Sequence, residues 1–223
     1  MDAVIVSHLY FRYPGKSQYV LEDINFALRE GEITALMGMS GSGKSTLCRC
    51  ISGIIPHVYK GDIKGNVEVL GKNILEMALP EIATKIGSVF QNPETQLFSP
   101  TVEDELAFGP ENLCIEREEI GRRISEALRL VNMEDYRYSN PNQLSGGQKQ
   151  LIAIASVLTL QPQILICDEI MSQIDKSGKK LIKSVLDSLK KQGKTMLLID
   201  HDHKNLDIAD KMLILKNNRI FEQ

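Results

Sequence analysis

The sequence predicts an α/β fold: a parallel sheet core, an antiparallel β-rich segment ahead of it and a helical lobe inserted into it. Three observations carry this. Ile164–Cys167 (ILIC) and Met196–Ile199 (MLLI) are short unbroken apolar runs, the pattern of strands buried on both faces of a parallel sheet. Ser177–Lys190 between them is amphipathic at helical spacing, so strand, crossover helix and strand follow in order. Thr101–Val131 and Gln148–Leu160 instead read as helices.

Taken in order, Ala3–Tyr13 and Val20–Leu28 are β-rich and surround a turn at Pro14-Gly15. Glu32–Leu36 is a short strand that runs straight into a glycine-rich loop. Thr46–Ser52 continues as a helix and stops at Gly53 and Pro56. Gly61–Leu70 alternates through Ile63, Val67 and Val69 like a half-exposed strand, and Ile86–Phe90 reads as a buried one. In GRRISEALRLV, Ile124, Ala127, Leu128 and Val131 share one helix face. Gln148–Leu160 is a largely apolar helix ended by Gln161-Pro162. The expected organisation is a single domain over residues 1–223, with the β-rich core at about 1–92 and 160–223 and the helical subdomain at about 93–159.

With 43% apolar and 25% charged residues, the chain has the composition of a soluble globular protein. A net charge of −3 argues against a general nucleic-acid binder. Cys48, Cys50, Cys114 and Cys167 stand at no repeating metal-ligand spacing and read as free thiols of a reducing compartment. The opening MDAVIVSHLY lacks signal-peptide character. The longest strongly apolar stretch, Leu151–Leu160, is about half the roughly 20 residues of a membrane span, so any membrane role is expected to run through a partner.

Gly38-Met-Ser40-Gly41-Ser42-Gly43-Lys44-Ser45-Thr46 matches G-x-x-x-x-G-K-[ST] in full, the phosphate loop of P-loop NTPases. Its glycines let backbone N–H groups turn inward around phosphates, and the helix that follows adds its positive end. Lys44 supplies a point charge to phosphate oxygens, and the Ser45 hydroxyl is placed for Mg²⁺. ILIC ends in Asp168-Glu169, two carboxylates with divisible labour: Asp168 for the metal shell, Glu169 for an attacking water. Leu144-Ser145-Gly146-Gly147-Gln148 has capping-box spacing before an apolar helix. A cap needs only the serine. Two glycines in the first turn cost roughly 1 kcal/mol each against alanine, which points to close approach by a ligand.

LSGGQ, the phosphate loop and ILICDE together resemble the nucleotide-binding domain of ABC ATPases over essentially the whole chain. The resemblance implies a RecA-like parallel sheet core, ATP and Mg²⁺ as ligands, and ATP hydrolysis. It implies that Tyr13 stacks on adenine, with Tyr10 and Phe11 as nearby competitors, and that Gln91 senses Mg²⁺ in the Q-loop. It further makes Asp175 the acidic residue of the D-loop and His201 the switch histidine at the γ-phosphate. Ser145, Gly146, Gly147 and Gln148 would then serve ATP held by a second ABC ATPase subunit, identical or related.

The stretch QNPETQLFSPTVEDELAFGPENL, Gln91–Leu113, is similar to the energy-coupling factor (ECF) ATPases of vitamin and cobalt or nickel importers, with Glu105 where an aspartate is usual. That likeness implies an integral membrane partner, no nucleic acid, and a peripheral place on the cytoplasmic face of the cell membrane. Leu97, Phe98, Val102 and Phe108 are expected to form an apolar docking groove, rimmed by Glu103, Asp104 and Glu105. IIPHVYKGDIKGNVEVLGKNI is similar to the first half of tandem ECF-type ATPases, which allows a longer polypeptide. The alternatives are a soluble ABC ATPase acting on nucleic acid or ribosomes, and an exporter ATPase. The departures are Ile170 and Met171, where Pro-Thr is usual, and Asp200, where Thr commonly precedes the switch histidine.

Overall fold

The computed structural model describes residues 1–222. The sequence enters through β1 (Asp2–Arg12) and β2 (Leu21–Arg29), which pair antiparallel. It then passes through β3 (Ile33–Met37), α1 (Lys44–Ile51), the short α2 (Ile54–His57), β4 (Asp62–Val69) and β5 (Lys72–Asn73). The order β2-β1-β4-β5 makes a four-stranded antiparallel sheet. Next come α3 (Leu79–Lys85), β6 (Ile86–Val89), α4 (Val102–Asn112), α5 (Arg117–Leu130) and α6 (Gly146–Leu158). The chain closes with β7 (Ile164–Asp168), α7 (Lys176–Lys191), β8 (Thr195–Ile199), β9 (Lys211–Lys216) and β10 (Arg219–Glu222).

The second sheet has the order β10-β9-β3-β8-β7-β6, parallel throughout except for β10. It separates two hydrophobic cores. On β7, Leu165 and Cys167 face one core while Ile164 and Ile166 face the other; on β8, Met196 and Leu198 oppose Leu197 and Ile199. Strand side chains alternate in direction, so a strand covered on both faces is apolar at nearly every position, with Thr34 in β3 and Thr195 in β8 as buried exceptions. The first core joins this sheet to α4, α5, α6 and α7, and the second joins it to α1 and the antiparallel sheet.

Helix α1 begins at Lys44, two residues earlier than Thr46, because Gly43 takes a left-handed φ of 106° as its N-cap. Five elements carried no sequence expectation: the short α2 and β5, and α3, β9 and β10. Helix α3 buries only Ile82, too little for a periodic signal. In β9 and β10 the flanking lysines and polar residues mask short strands that exist through pairing, β9 with β3 and β10 with β9.

The expected docking groove is corrected in part. Val102 and Leu97 are buried in the core, and only Phe98 and Phe108 stand out, as an edge-to-face pair with ring centres 4.8 Å apart. Glu105 is not on an acidic rim. It is buried, and its carboxylate accepts from the backbone N–H of Phe98 at 2.9 Å and of Ser99 at 2.8 Å. The side chain thereby holds the loop in front of α4. Glu103 pairs with Arg137 at 2.7 Å, and Asp104 closes an N-cap with Thr101.

Glu105→Ala strands two backbone donors and is expected to destabilise the fold by about 1–3 kcal/mol, read as a lowered denaturant midpoint. The four cysteines are free, and Cys114 is exposed while Cys48, Cys50 and Cys167 are buried. Burial pushes the thiols of Cys50 and Cys167 up to about 12 and raises that of Cys48 well above its ordinary value. An alkylating reagent at pH 8 is therefore expected to label Cys114 alone in the native protein and all four after unfolding, as mass spectrometry would count.

Candidate nucleotide site

In a parallel sheet the loops that leave the carboxyl ends of neighbouring strands converge on one crevice. Here β3, β6, β7 and β8 deliver Gly38–Gly43, Gln91, Asp168-Glu169 and His201 in that way. A cavity of about 490 Å³ opens there, lined by Ser40, Gly41, Gly43, Lys44, Ser45 and Thr46 from the loop and α1. Tyr13, Val20, Gln91, Asp168 and Glu169 complete it. Gly38, Ser42 and His201 instead line a neighbouring cavity on the other side of the loop. Ser42 Oγ is buried without a hydrogen-bond partner, close to where a Cβ on Gly38 would stand. Gly38 is thus fixed as glycine by that contact and by the Leu215 carbonyl.

Lys44 Nζ donates to the carbonyls of Gly38 at 2.9 Å and Met39 at 3.1 Å, and lies 3.9 Å from Glu169 Oε1. The ammonium is almost fully buried with mainly neutral partners, a cation held ready for an anion in the cavity. Ser45 Oγ donates to Asp168 Oδ2 at 3.2 Å. Burial raises the Asp168 carboxyl above its ordinary value; the Ser45 hydrogen bond and the Lys44 charge oppose that, and the Glu169 charge adds to it. Gln91 Nε2 donates to Glu169 Oε2 at 3.1 Å, which leaves the amide oxygen of Gln91 free as an acceptor. His201 Nδ1 lies 3.4 Å from the same Glu169 oxygen.

These residues fit a magnesium nucleotide. A serine hydroxyl, a carboxylate and an amide oxygen form an all-oxygen donor set suited to Mg²⁺. The loop N–H groups, the start of α1 and Lys44 suit a polyphosphate.

Tyr13 lines the cavity, and its hydroxyl is 3.0 Å from Thr46 Oγ1. Neither competitor does: Phe11 is fully buried in the core, and Tyr10 packs edge-on against Tyr19 at 5.6 Å. Ser145 is the N-cap of α6, and the capping box is complete in both directions, Gln148 N to Ser145 Oγ at 3.3 Å and Ser145 N to Gln148 Oε1 at 2.9 Å. None of Ser145, Gly146, Gly147 and Gln148 lines the 490 Å³ cavity. A Cβ on Gly146 would meet open space, so this helix end is free to face another molecule.

A Cβ on Gly147 would reach ordinary contact with Ile174 and Gly178, and a Cβ on Gly178 would come within 2.5 Å of Ile174. Asp175 is the N-cap of α7, accepting from Gly178 N at 3.0 Å and Ser177 Oγ at 2.6 Å. The departures find local reasons. Ile170 and Met171 are buried in the first core. Asp200 is buried and accepts from Asp202 N at 2.9 Å and Asn205 Nδ2 at 2.7 Å, which braces the turn that carries His201.

Two residues near the site escaped the sequence reading. Nothing marks Val20 as different from its apolar neighbours. Arg49 had a signal, its i+3 spacing from Thr46 along α1, and its guanidinium donates to the Tyr13 hydroxyl.

A family model described as ABC transporter matches residues 21–172. A putative ABC transporter ATP-binding protein of Pyrococcus abyssi is 43% identical over 222 residues, 99% of this chain and 79% of that protein. One of the same description from Methanosarcina mazei is 42% identical over 217 residues, 96% of this chain but 37% of that protein. The chain thus spans little more than a third of that relative's length. The energy-coupling factor transporter ATP-binding protein EcfA of Methanocaldococcus jannaschii is 39% identical over 226 residues, 100% of this chain and 79% of that protein. Among solved structures, cbiO1 of Clostridium perfringens, described as part of the ABC transporter complex cbiONQ, superposes with a TM-score of 0.86 at 31% identity, covering 99% of this chain and 87% of that one. The phosphate loop, the paired carboxylates and the capped glycine helix therefore sit in a chain that belongs to the ABC transporter family.

Proposed function

We propose that this chain binds and hydrolyses ATP with Mg²⁺ as the energising subunit of an ECF-type ABC importer. The observation that carries the reading is the setting of Glu169, whose carboxylate meets Gln91 at 3.1 Å, His201 at 3.4 Å and Lys44 at 3.9 Å at the rim of a phosphate-sized cradle. Lys44 and the loop N–H groups bind the phosphates, and Tyr13 offers a ring to the base. Ser45, Asp168 and the Gln91 amide oxygen hold Mg²⁺, which supplies charge neutralisation to the phosphates when bound. Glu169 takes the proton of, or orients, the attacking water, and His201 lies beside it to meet the terminal phosphate.

Ser145 and its glycines lie outside this cavity with their helix end open. This supports a composite site in which a second ABC ATPase subunit, identical or related, presents its own copy of that helix end. The EcfA likeness and the cbiO1 neighbour's place in a complex support a membrane partner, with a vitamin or a transition-metal ion as cargo. Among the described residues no helix is long and apolar enough to cross a membrane. The chain would work peripherally, at the cytoplasmic face, and the exposed Phe98–Phe108 pair is the surface offered to the membrane subunit. Co-purification tests this: an integral membrane protein is expected, and recovery with nucleic acid instead would overturn it.

Glu169→Gln keeps the shape of the site but cannot accept a proton. It is expected to bind magnesium ATP normally and to lose about 10²–10⁴-fold in phosphate release; wild-type turnover would remove Glu169 from its role. Lys44→Ala deletes the buried ammonium and is expected to weaken nucleotide binding by about tenfold or more in a labelled-ATP titration.

A further inference from the structure

Arg49 stands on the second turn of α1, three residues after Thr46 and four after Ser45, and so on the same helix face. Its Nη1 donates to the Tyr13 hydroxyl at 3.3 Å, and its guanidinium carbon lies 5.4 Å from the centre of the Tyr59 ring. Arginine can only donate, so the Tyr13 oxygen accepts from it, and the same hydroxyl shares a hydrogen bond with Thr46 Oγ1 at 3.0 Å in which either oxygen can donate. The Tyr13 ring also packs in a T-shaped pair with Phe11, with centres 4.8 Å apart and planes at 85°. Among the described residues no carboxylate lies within salt-bridge distance of Arg49; its direct contacts are an aromatic hydroxyl and an aromatic face, and Asp168 acts on it only through its charge across the second cavity.

A second cavity of about 300 Å³ lies behind the site. Arg49, Tyr59 and Phe90 line it, and it shares Ser45 and Asp168 with the nucleotide cavity. Arg49 therefore faces the second cavity while holding the hydroxyl end of the Tyr13 ring that lines the first; Phe11 packs against the same ring.

We propose that Arg49, steadied by Tyr59, is a positioning residue for the nucleotide base. It pins the Tyr13 ring to the helix that carries the phosphate-binding groups, so that base platform and phosphate cradle keep a fixed separation. The proposal rests on the reading of the cavity as a nucleotide site with Tyr13 as the platform. A ring ordered before the ligand arrives spares the cost of ordering it on binding. That gain belongs to ligands that carry a base, and stacking makes it tolerant of which base.

The test is calorimetric titration with two probes, the β,γ-imido analogue of magnesium ATP and magnesium tripolyphosphate. Arg49→Met and Tyr13→Phe are each expected to weaken the ATP analogue by about three- to tenfold, with tripolyphosphate within about twofold of wild type. The double variant is expected to be no weaker than the worse single one, because both changes break the same link. Equal weakening of both probes, additive losses, or unchanged affinity for the ATP analogue would each overturn the proposal. Should Arg49→Met fail to fold, Tyr59→Leu at a half-exposed position takes its place, with a smaller loss in the same sense expected and equal effects on both probes excluding the role. A wild-type protein that binds neither probe sinks the nucleotide reading itself, and one that binds both equally removes the base platform.

Discussion

Burial of the parallel sheet on both faces is the constraint on which the rest of the structure depends. Because β3, β7 and β8 are walled by separate cores, nearly all their buried residues are apolar, Thr34 and Thr195 being the polar exceptions, and their register cannot slip without turning each side chain into the wrong core. The register then fixes the chemistry. Asp168 pairs with Ile199, and Glu169 N donates to Ile199 O at 2.8 Å, so the residue after β7 and the turn after β8 arrive side by side. That is how Glu169 and His201, far apart in sequence, come within 3.4 Å.

The same sheet end gathers charge that the chain alone does not balance comfortably. Two carboxylates stand next to one another in sequence, and Asp168 is raised by burial while Lys44 rests mainly on carbonyl oxygens. Such an arrangement is costly in an empty fold and favourable once a cation meets the carboxylates and an anion meets the lysine. Glu169 holds a left-handed backbone, φ 49°, a local strain of the kind that surrounding structure sustains at sites of action.

What the sequence made legible follows from how local each cause is. The phosphate loop, the capping box at Ser145 and the apolar runs ending at Asp168 are dictated by residues within a few positions, and each stands where the spacing placed it. Glu105 was misplaced on a rim because its partners are backbone groups of a preceding loop, which no residue type announces. Asp200, a departure from the family pattern just before His201, is a buried brace for that turn. Strand β9 exists by pairing with β3, which lies far away in the chain. The role of Arg49 needed the third dimension, since Tyr13 reaches it across 36 positions.

The close approach of Gly147 to Ile174 and Gly178, near enough that a single Cβ would bridge it, has a mechanical consequence. It brings the open end of α6 close over the segment that follows Glu169, with no side chain on either glycine between them. A tilt of α6 therefore drags the Ser172–Asp175 turn with it or opens a void there, and voids in packed protein are resisted. In the proposed head-to-tail pair, the α6 end would serve the neighbour's phosphates while the turn beside it flanks the chain's own carboxylates. The two pockets would then be geared like meshed wheels, with Gly178 as the tooth on which backlash depends.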